Sequence, residues 1–314
     1  MANERASMRC LITGVTGFVG RHLAAALTAA GHESVGVARD PGPAAIPVHT
    51  ADLIDPAATE AVLRAARPEW VFHLAGYASN GNSFREPAAA WEGNLGVTRT
   101  LYDAIARTGL RPRILYVSSG LVYGDAGPGE HVFTEETPLR PASPYAASKA
   151  AADLLSYQQT RSPGLDVVRV RPFNQIGPGQ SADYAVANFA RQIVLVERGQ
   201  ASAVEVRGDL RARRDLTDVR DMVGAYVRLL EVGRPGEVYN AGSGRTYVIQ
   251  DILDRLISLS GVPVKVEERM DTSRKADTAV TRADTRKLRE ATGWEPAYTL
   301  DQTLADVLAD WRGR

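Results

Sequence analysis

The sequence predicts an α/β protein: a doubly wound parallel sheet with helices on both faces, followed by a smaller C-terminal α/β lobe. Short continuous apolar runs alternate with amphipathic stretches through the first half, as parallel strands covered on both faces require. Three glycines, Gly14, Gly17 and Gly20, stand between the first such run and the first helical pattern. After Arg171 the alternation loosens around Pro172 and Pro178, as expected where the chain leaves one unit for another.

Taken in order, strands are expected over 10–13, 34–38, 70–74, 114–118 and 167–170, with helices over 19–30, 56–66, 91–107 and 145–161 between them. Further on, helices fit 184–197, 218–230, 249–260 and 300–311, and strands fit 204–207 and 238–241. This divides the chain into a dinucleotide-binding unit, 1–171 with a returning segment at about 215–243, and a substrate lobe formed by 172–214 and 244–314.

Composition narrows the class of protein. Of 314 residues, 44 % are hydrophobic and 24 % charged, and Lys plus Arg balance Asp plus Glu at 37 each. Bulk charge therefore points to neither a nucleic-acid nor a membrane partner. The lone cysteine, Cys10, lies in an apolar run and reads as a buried structural thiol, which suits a reducing compartment. The first residues carry charges and no apolar core, so no signal peptide is expected and residues 1–7 read as a frayed extension. No run approaches the ~20 apolar residues of a membrane helix. The expected location is the cytoplasm, and no metal ligands are singled out.

Gly14, Gly17 and Gly20 permit a tight turn, close approach of backbone to a pyrophosphate, and close packing of helix on strand. The helix that follows offers free N–H groups and a positive dipole end to the same anion. The second strand ends in Ala38-Arg39, without the acid that binds a ribose 2′-hydroxyl. Arg39 can pair with a 2′-phosphate instead, which favours NADP(H) over NAD(H). Asp52 and Leu53 suit contact with adenine, and Asp52 equally suits the cap of the helix beginning near Pro56.

Tyr145 and Lys149 stand four residues apart near the start of a helix, so they share a face. A cationic Lys there lowers the Tyr pKa from its ordinary ~10 and readies the phenol for proton transfer. Ser119 follows the strand over 114–118, and strand C-terminal ends are where ligands bind in open parallel sheets.

With these residues in view, the chain resembles the extended short-chain dehydrogenase/reductases of the nucleotide-sugar epimerase/dehydratase type. The matching pieces run in order: TGVTGFVG (13–20), HLAG (73–76), VSSGLVYG (117–124), SPYAASK (143–149), RPFNQIGPGQ (171–180), RRDLTDVRD (213–221) and YNAGSG (239–244). The resemblance implies a Rossmann domain with a substrate lobe, and Ser119, Tyr145 and Lys149 as the catalytic set. It implies a cofactor held by Phe18 and Val19 of the glycine turn, by Leu74, Ala75 and Gly76, and by Tyr145 and Lys149. Within the family, HLAGYASNGNSF (73–84), residues 171–193 and ADTRKLREATGWEP (283–296) resemble GDP-6-deoxy-4-keto-D-mannose reductases. That implies reduction of a C4 ketone on a nucleoside-diphosphate 6-deoxyhexose, with Asn174, Arg191, Arg214 and Arg274 on the substrate. Paired guanidinium groups match diphosphate oxygens bidentately.

Two departures bear on the reaction. Where related dehydratases carry an acid before Val-Tyr-Gly, this chain has Leu121, preceded by Gly120. Loss of water across C5–C6 needs an added acid and base, which these residues lack, while Glu135 and Glu136 fall in a polar loop suited to solvation or capping. Gly76-Tyr77 replaces the family's commoner small-residue and Gln pair. A reductase and an NAD-dependent 4-epimerase use the same Ser, Tyr and Lys, and a redox-silent sensor on this fold is the reading of another class. Asn94 is read as support, and the helices over 91–107 and 145–161 are implied to pair with a second subunit as a four-helix homodimer interface.

Overall fold

The computed structural model describes residues 7–40, 42–124, 130–269 and 280–314. Of the expected N-terminal extension only Ser7 falls among them, and its hydroxyl donates to the Gly31 carbonyl.

The larger sheet has seven parallel strands: β1 (Arg9–Thr13), β2 (Glu33–Ala38), β3 (Val48–Thr50), β4 (Trp70–His73), β5 (Arg113–Val117), β7 (Asp166–Pro172) and β11 (Val238–Ala241). Their spatial order is β11-β7-β5-β4-β1-β2-β3, so the winding reverses between β1 and β4. That reversal opens a crevice beyond the strand C-termini, the place where this class of sheet binds its ligand. One face packs on α1 (Phe18–Ala29) and α7 (Val219–Val232), with Leu23, Leu27, Met222 and Tyr226 fully buried. The other packs on α2 (Pro56–Ala66), α4 (Val97–Thr108) and α5 (Pro144–Arg161), through Leu63, Leu101 and Ile105 among others. Each such aliphatic side chain contributes about 1.5–3 kcal/mol of burial free energy.

Local chemistry sets the helix ends. Asp55, not Asp52, caps α2, accepting from the N–H groups of Ala57 and Ala58, with Pro56 at the first helical position. The reason is position: Asp55 directly precedes the helix, whereas Asp52 accepts from Ile54 N within its own turn. Ser143 caps α5 in the same way ahead of Pro144. The helix expected over 91–107 is broken into α3 (Pro87–Trp91), a π-turn at Glu92–Gly96, and α4.

The lobe is built from short strands contributed by distant segments. β10 (Arg213–Asp218) pairs antiparallel with β12 (Thr246–Val248) and parallel with β8 (Asn174–Ile176) and β14 (Val280–Ala283), and β14 pairs with β6 (Glu130–Phe133). A second pair joins β9 (Val204–Val206) to β13 (Val266–Glu268). Helices α6 (Ala185–Glu197), α8 (Ile249–Ser260) and α10 (Leu300–Gly313) close the core around Phe189, Ile193, Leu253 and Leu304. The tail then crosses back: Leu288 of α9 (Arg286–Thr292) and Trp294, which the sequence groups with the lobe, pack into the core against α7.

Candidate active site

The glycine turn after β1 fits the pyrophosphate of a dinucleotide. Gly14 holds φ +72°, a conformation that favours glycine, and a Cβ there would stand 3.0 Å from the Ala75 backbone. A Cβ on Gly20 would strike the Gly14 carbonyl, so α1 lies against the turn only because that atom is absent. Gly17 caps α1 without a side chain, leaving the first-turn N–H groups to an anion. Phe18 and Val19 open the helix, and the 177–179 loop is tied to its first turns: Arg21 donates to Gly179 O at 2.9 Å, and His22 Nε2 meets Pro178 O at 2.8 Å. At the adenosine end, Arg39 is exposed and paired with Asp40 at 3.1 Å, while Leu53 is buried with Val62 and Val97.

Beside the glycine turn, the end of β4 is fixed by a buried chain that the sequence reading missed. His73 joins Thr13 Oγ1 (2.8 Å) to Thr98 Oγ1 (3.0 Å), and Thr98 donates to the Asn94 carbonyl at 2.5 Å. Burial pushes the imidazole down to about 3, so it is a neutral strut. Thr13 Oγ1 also accepts from Leu74 N and Ala75 N, which sets the backbone that would face the cofactor. Gly76 comes next, where a Cβ would stand 2.5 Å from Asn94 Oδ1 and 3.5 Å from Lys149 Nζ. The π-turn swings Asn94 inward, where its Nδ2 donates to Ser148 Oγ at 2.9 Å. The HLAG motif and Asn94 were the available signals for this chain of contacts.

Ser119, just past the end of β5, is hydrogen-bonded to Tyr145 in the first turn of α5. Tyr145 keeps part of its surface open to the crevice, but burial pushes its phenol up to about 12, and hydrogen bonding to Ser119 only partly opposes this. Lys149 lies one turn further along α5. Its ammonium donates to Val117 O at 3.0 Å. Burial drives Lys149 itself down to about 8, against the opposing charge of Asp153.

Asp153, one turn further along α5, is fully buried. It bonds Arg169 at 2.6 Å and Arg171 at 2.9 Å. Arg171 also donates to the Tyr123 hydroxyl (3.0 Å), and Tyr123 donates to Asn240 Oδ1 (2.6 Å). The catalytic helix is thereby clamped to β7 and β11 from behind. Glu135 belongs to this support, accepting from Asn240 N at 2.7 Å with its carboxyl raised by burial.

On the lobe side, Asn174 and Arg214 lie on the neighbouring strands β8 and β10, with Asn174 Nδ2 donating to Asp215 O at 3.2 Å. Beneath them, buried Asp215 accepts from Ser243 N and Oγ, Gly244 N and Ala283 N, fixing the strand ends. Arg191 is on α6, bonded to Asn188 Oδ1 at 3.4 Å. Arg274 lies outside the described residues. Leu121, in the turn after Ser119, is 46 % exposed, a bare apolar side chain at the crevice. Cys10 is buried and its thiol is pushed up to about 12, which leaves it inert. Among the described residues no group of His, Cys, Asp and Glu is placed to hold a metal, and no helix is long and apolar enough to cross a membrane.

Comparison with known proteins agrees with this geometry. The model of the NAD dependent epimerase/dehydratase family matches residues 10–242. The chain is 37 % identical over 310 residues to GDP-6-deoxy-D-mannose reductase of Pseudomonas aeruginosa, covering 98 % of each. It is 29 % identical to UDP-glucose 4-epimerase of Mycolicibacterium smegmatis, covering 98 % of this chain and 99 % of that one. A solved structure of RMD from Pseudomonas aeruginosa complexed with NADPH superposes with a TM-score of 0.88 at 36 % identity, over 98 % of this chain and 100 % of that one. The chain belongs to the NAD dependent epimerase/dehydratase family and is an NAD(P)-dependent enzyme of the extended short-chain dehydrogenase/reductase type.

Proposed function

We propose that the protein reduces the C4 ketone of a nucleotide-linked 6-deoxyhexose at the expense of NAD(P)H, with GDP-4-keto-6-deoxy-D-mannose going to GDP-D-rhamnose as the leading case. The observation that carries this reading is the 37 % identity to a GDP-6-deoxy-D-mannose reductase over 98 % of both chains, beside Tyr145 hydrogen-bonded to Ser119. Burial keeps the Tyr145 phenol protonated. Leu121 stands where a dehydratase would place its acid. A phenol held protonated is the right form to give a proton to a developing alkoxide, and the wrong form to begin by oxidising an alcohol.

The bound nicotinamide would supply the hydride. Ser119 and Tyr145 would hold the ketone oxygen between them, and Tyr145 would protonate it as charge develops. Donors aimed in advance at that oxygen account for much of the barrier reduction in such sites. Lys149, released from Val117 O, would hold the nicotinamide ribose. Asn174, Arg191, Arg214 and Arg274 would take the sugar and diphosphate. NADP(H) is preferred over NAD(H), supported by Arg39 and by the NADPH complex of the relative. A homodimer through α4 and α5 fits the exposed Leu154 and Tyr157 on α5.

The second reading is a 4-epimerase, favoured by the likeness to UDP-glucose 4-epimerase over nearly the whole chain. The test is absorbance at 340 nm with NADPH or NADH and freshly made GDP-4-keto-6-deoxymannose, beside UDP-glucose as control. Rapid oxidation with the keto sugar is expected. Conversion of UDP-glucose to UDP-galactose without net oxidation would establish the epimerase instead.

A further inference from the structure

Tyr184 is a residue whose placement neither the fold nor the predicted site accounts for. It is the N-cap residue of α6 yet makes no side-chain cap bond, so its ring is free of the helix. Val186, Phe189 and Ala190 just beyond it are buried in the lobe core, whereas Tyr184 is 44 % exposed. Its hydroxyl reaches across the crevice to donate to Ala78 O at 3.3 Å. That carbonyl lies two residues past Gly76, in the segment leaving the predicted cofactor wall. The same segment is anchored at Asn80, whose Oδ1 accepts from Ser143 Oγ at 2.5 Å. Ser143 in turn caps α5 two residues before Tyr145. Lobe, loop and helix cap are thus linked in a chain of contacts that ends two residues from the predicted catalytic phenol.

A half-exposed tyrosine offers a flat apolar face and a polar tip, which suits a sugar ring and its hydroxyls. Its single bond to a carbonyl at 3.3 Å is long and easily exchanged. We propose that Tyr184 is the lobe's contact to the hexose, its ring covering the sugar and its hydroxyl leaving Ala78 O for a sugar hydroxyl. The inference rests on the nucleotide-sugar reading above. Tyr184 would then select for the glycosyl unit and be indifferent to the nucleotide.

The test uses full-length Tyr184→Phe and Tyr184→Ala proteins with the nucleotide sugar that the wild type turns over. Losing one hydrogen bond predicts a KM raised about 2- to 10-fold in the Phe variant, and a larger rise in the Ala variant, which also loses the ring. The inhibition constant of the matching free nucleoside diphosphate and the Kd of NADPH should stay within about twofold, since neither reaches the hexose. Unchanged KM in both variants would overturn the contact. So would a KM and a nucleoside-diphosphate constant that rise together, because a strut that merely holds the lobe in place weakens both. Wild-type protein that turns over no nucleotide sugar would overturn the functional reading itself, and this contact with it.

Discussion

The two walls of the crevice are built by opposite means. The wall proposed for the cofactor is mostly backbone and buried polar side chains: the glycine turn, the Thr13–His73–Thr98 chain, Lys149 on Val117 O, and Asp153 clamped by two arginines. The wall proposed for the sugar is made of side chains that stand in the open or half-open, among them Asn174, tied to Asp215 O, Tyr184, tied to Ala78 O, and Leu121. A reagent common to many enzymes can be held by a rigid, fully bonded surface. A substrate that differs between relatives is read by exposed side chains that change without disturbing a core.

The largest expected effect separates the walls by chemistry. Tyr145→Phe removes the proposed proton donor and keeps the ring and the glycine cradle, so kcat should fall about 10²- to 10⁴-fold while the NADPH Kd stays within about twofold. Equal loss of both, by fluorescence titration, would break the separation. Next, Asp153→Asn should destabilise the fold by about 3–5 kcal/mol in urea unfolding, because it strips the charge that two buried guanidinium groups face. A change below about 1 kcal/mol would mean the clamp is not what stiffens this wall.

Lys149 sharpens the contrast through pH. Burial favours its neutral amine, moving the pKa from 10.5 to about 8, so the cation is present below pH 8 and lost above it. If the cation is needed for turnover, kcat for reduction should decline about tenfold per unit above pH 8. Stability should move the other way, rising between pH 8 and 10.5, where the unfolded chain still binds the proton that the native state has shed. A kcat flat to pH 10 would contradict this account of Lys149. The smallest effect belongs to the exposed rim. Arg39→Ala should weaken NADPH about tenfold and leave NADH unchanged, measured as the ratio of the two Kd values.

What was legible in the sequence follows the same division. The glycine turn, Tyr145 with Lys149, and Ser119 after its strand are local patterns, and the long helices and buried strands carry clear periodicity. The strut at His73 was not read, because its partners lie 60 residues before it and 25 after it. For Lys149, four-residue spacing puts it on the face of Tyr145, but spacing does not say which acceptor takes the ammonium, and Val117 O does. In the lobe, β8, β12 and β14 run only three or four residues and pair with β10 from distant segments, too short for any period to show. Asp215, which no motif singles out, is the buried acceptor that ties the 243–244 turn and Ala283 of β14 to β10.

The most direct test of the central claim is a turnover with nicotinamide cofactor deuterated at its transferable position and GDP-4-keto-6-deoxymannose, read by mass spectrometry and proton NMR of the product. The account predicts one deuterium at C4 of the sugar for each cofactor oxidised. A product without deuterium, or isomerisation of a nucleotide sugar with no cofactor consumed, would contradict it.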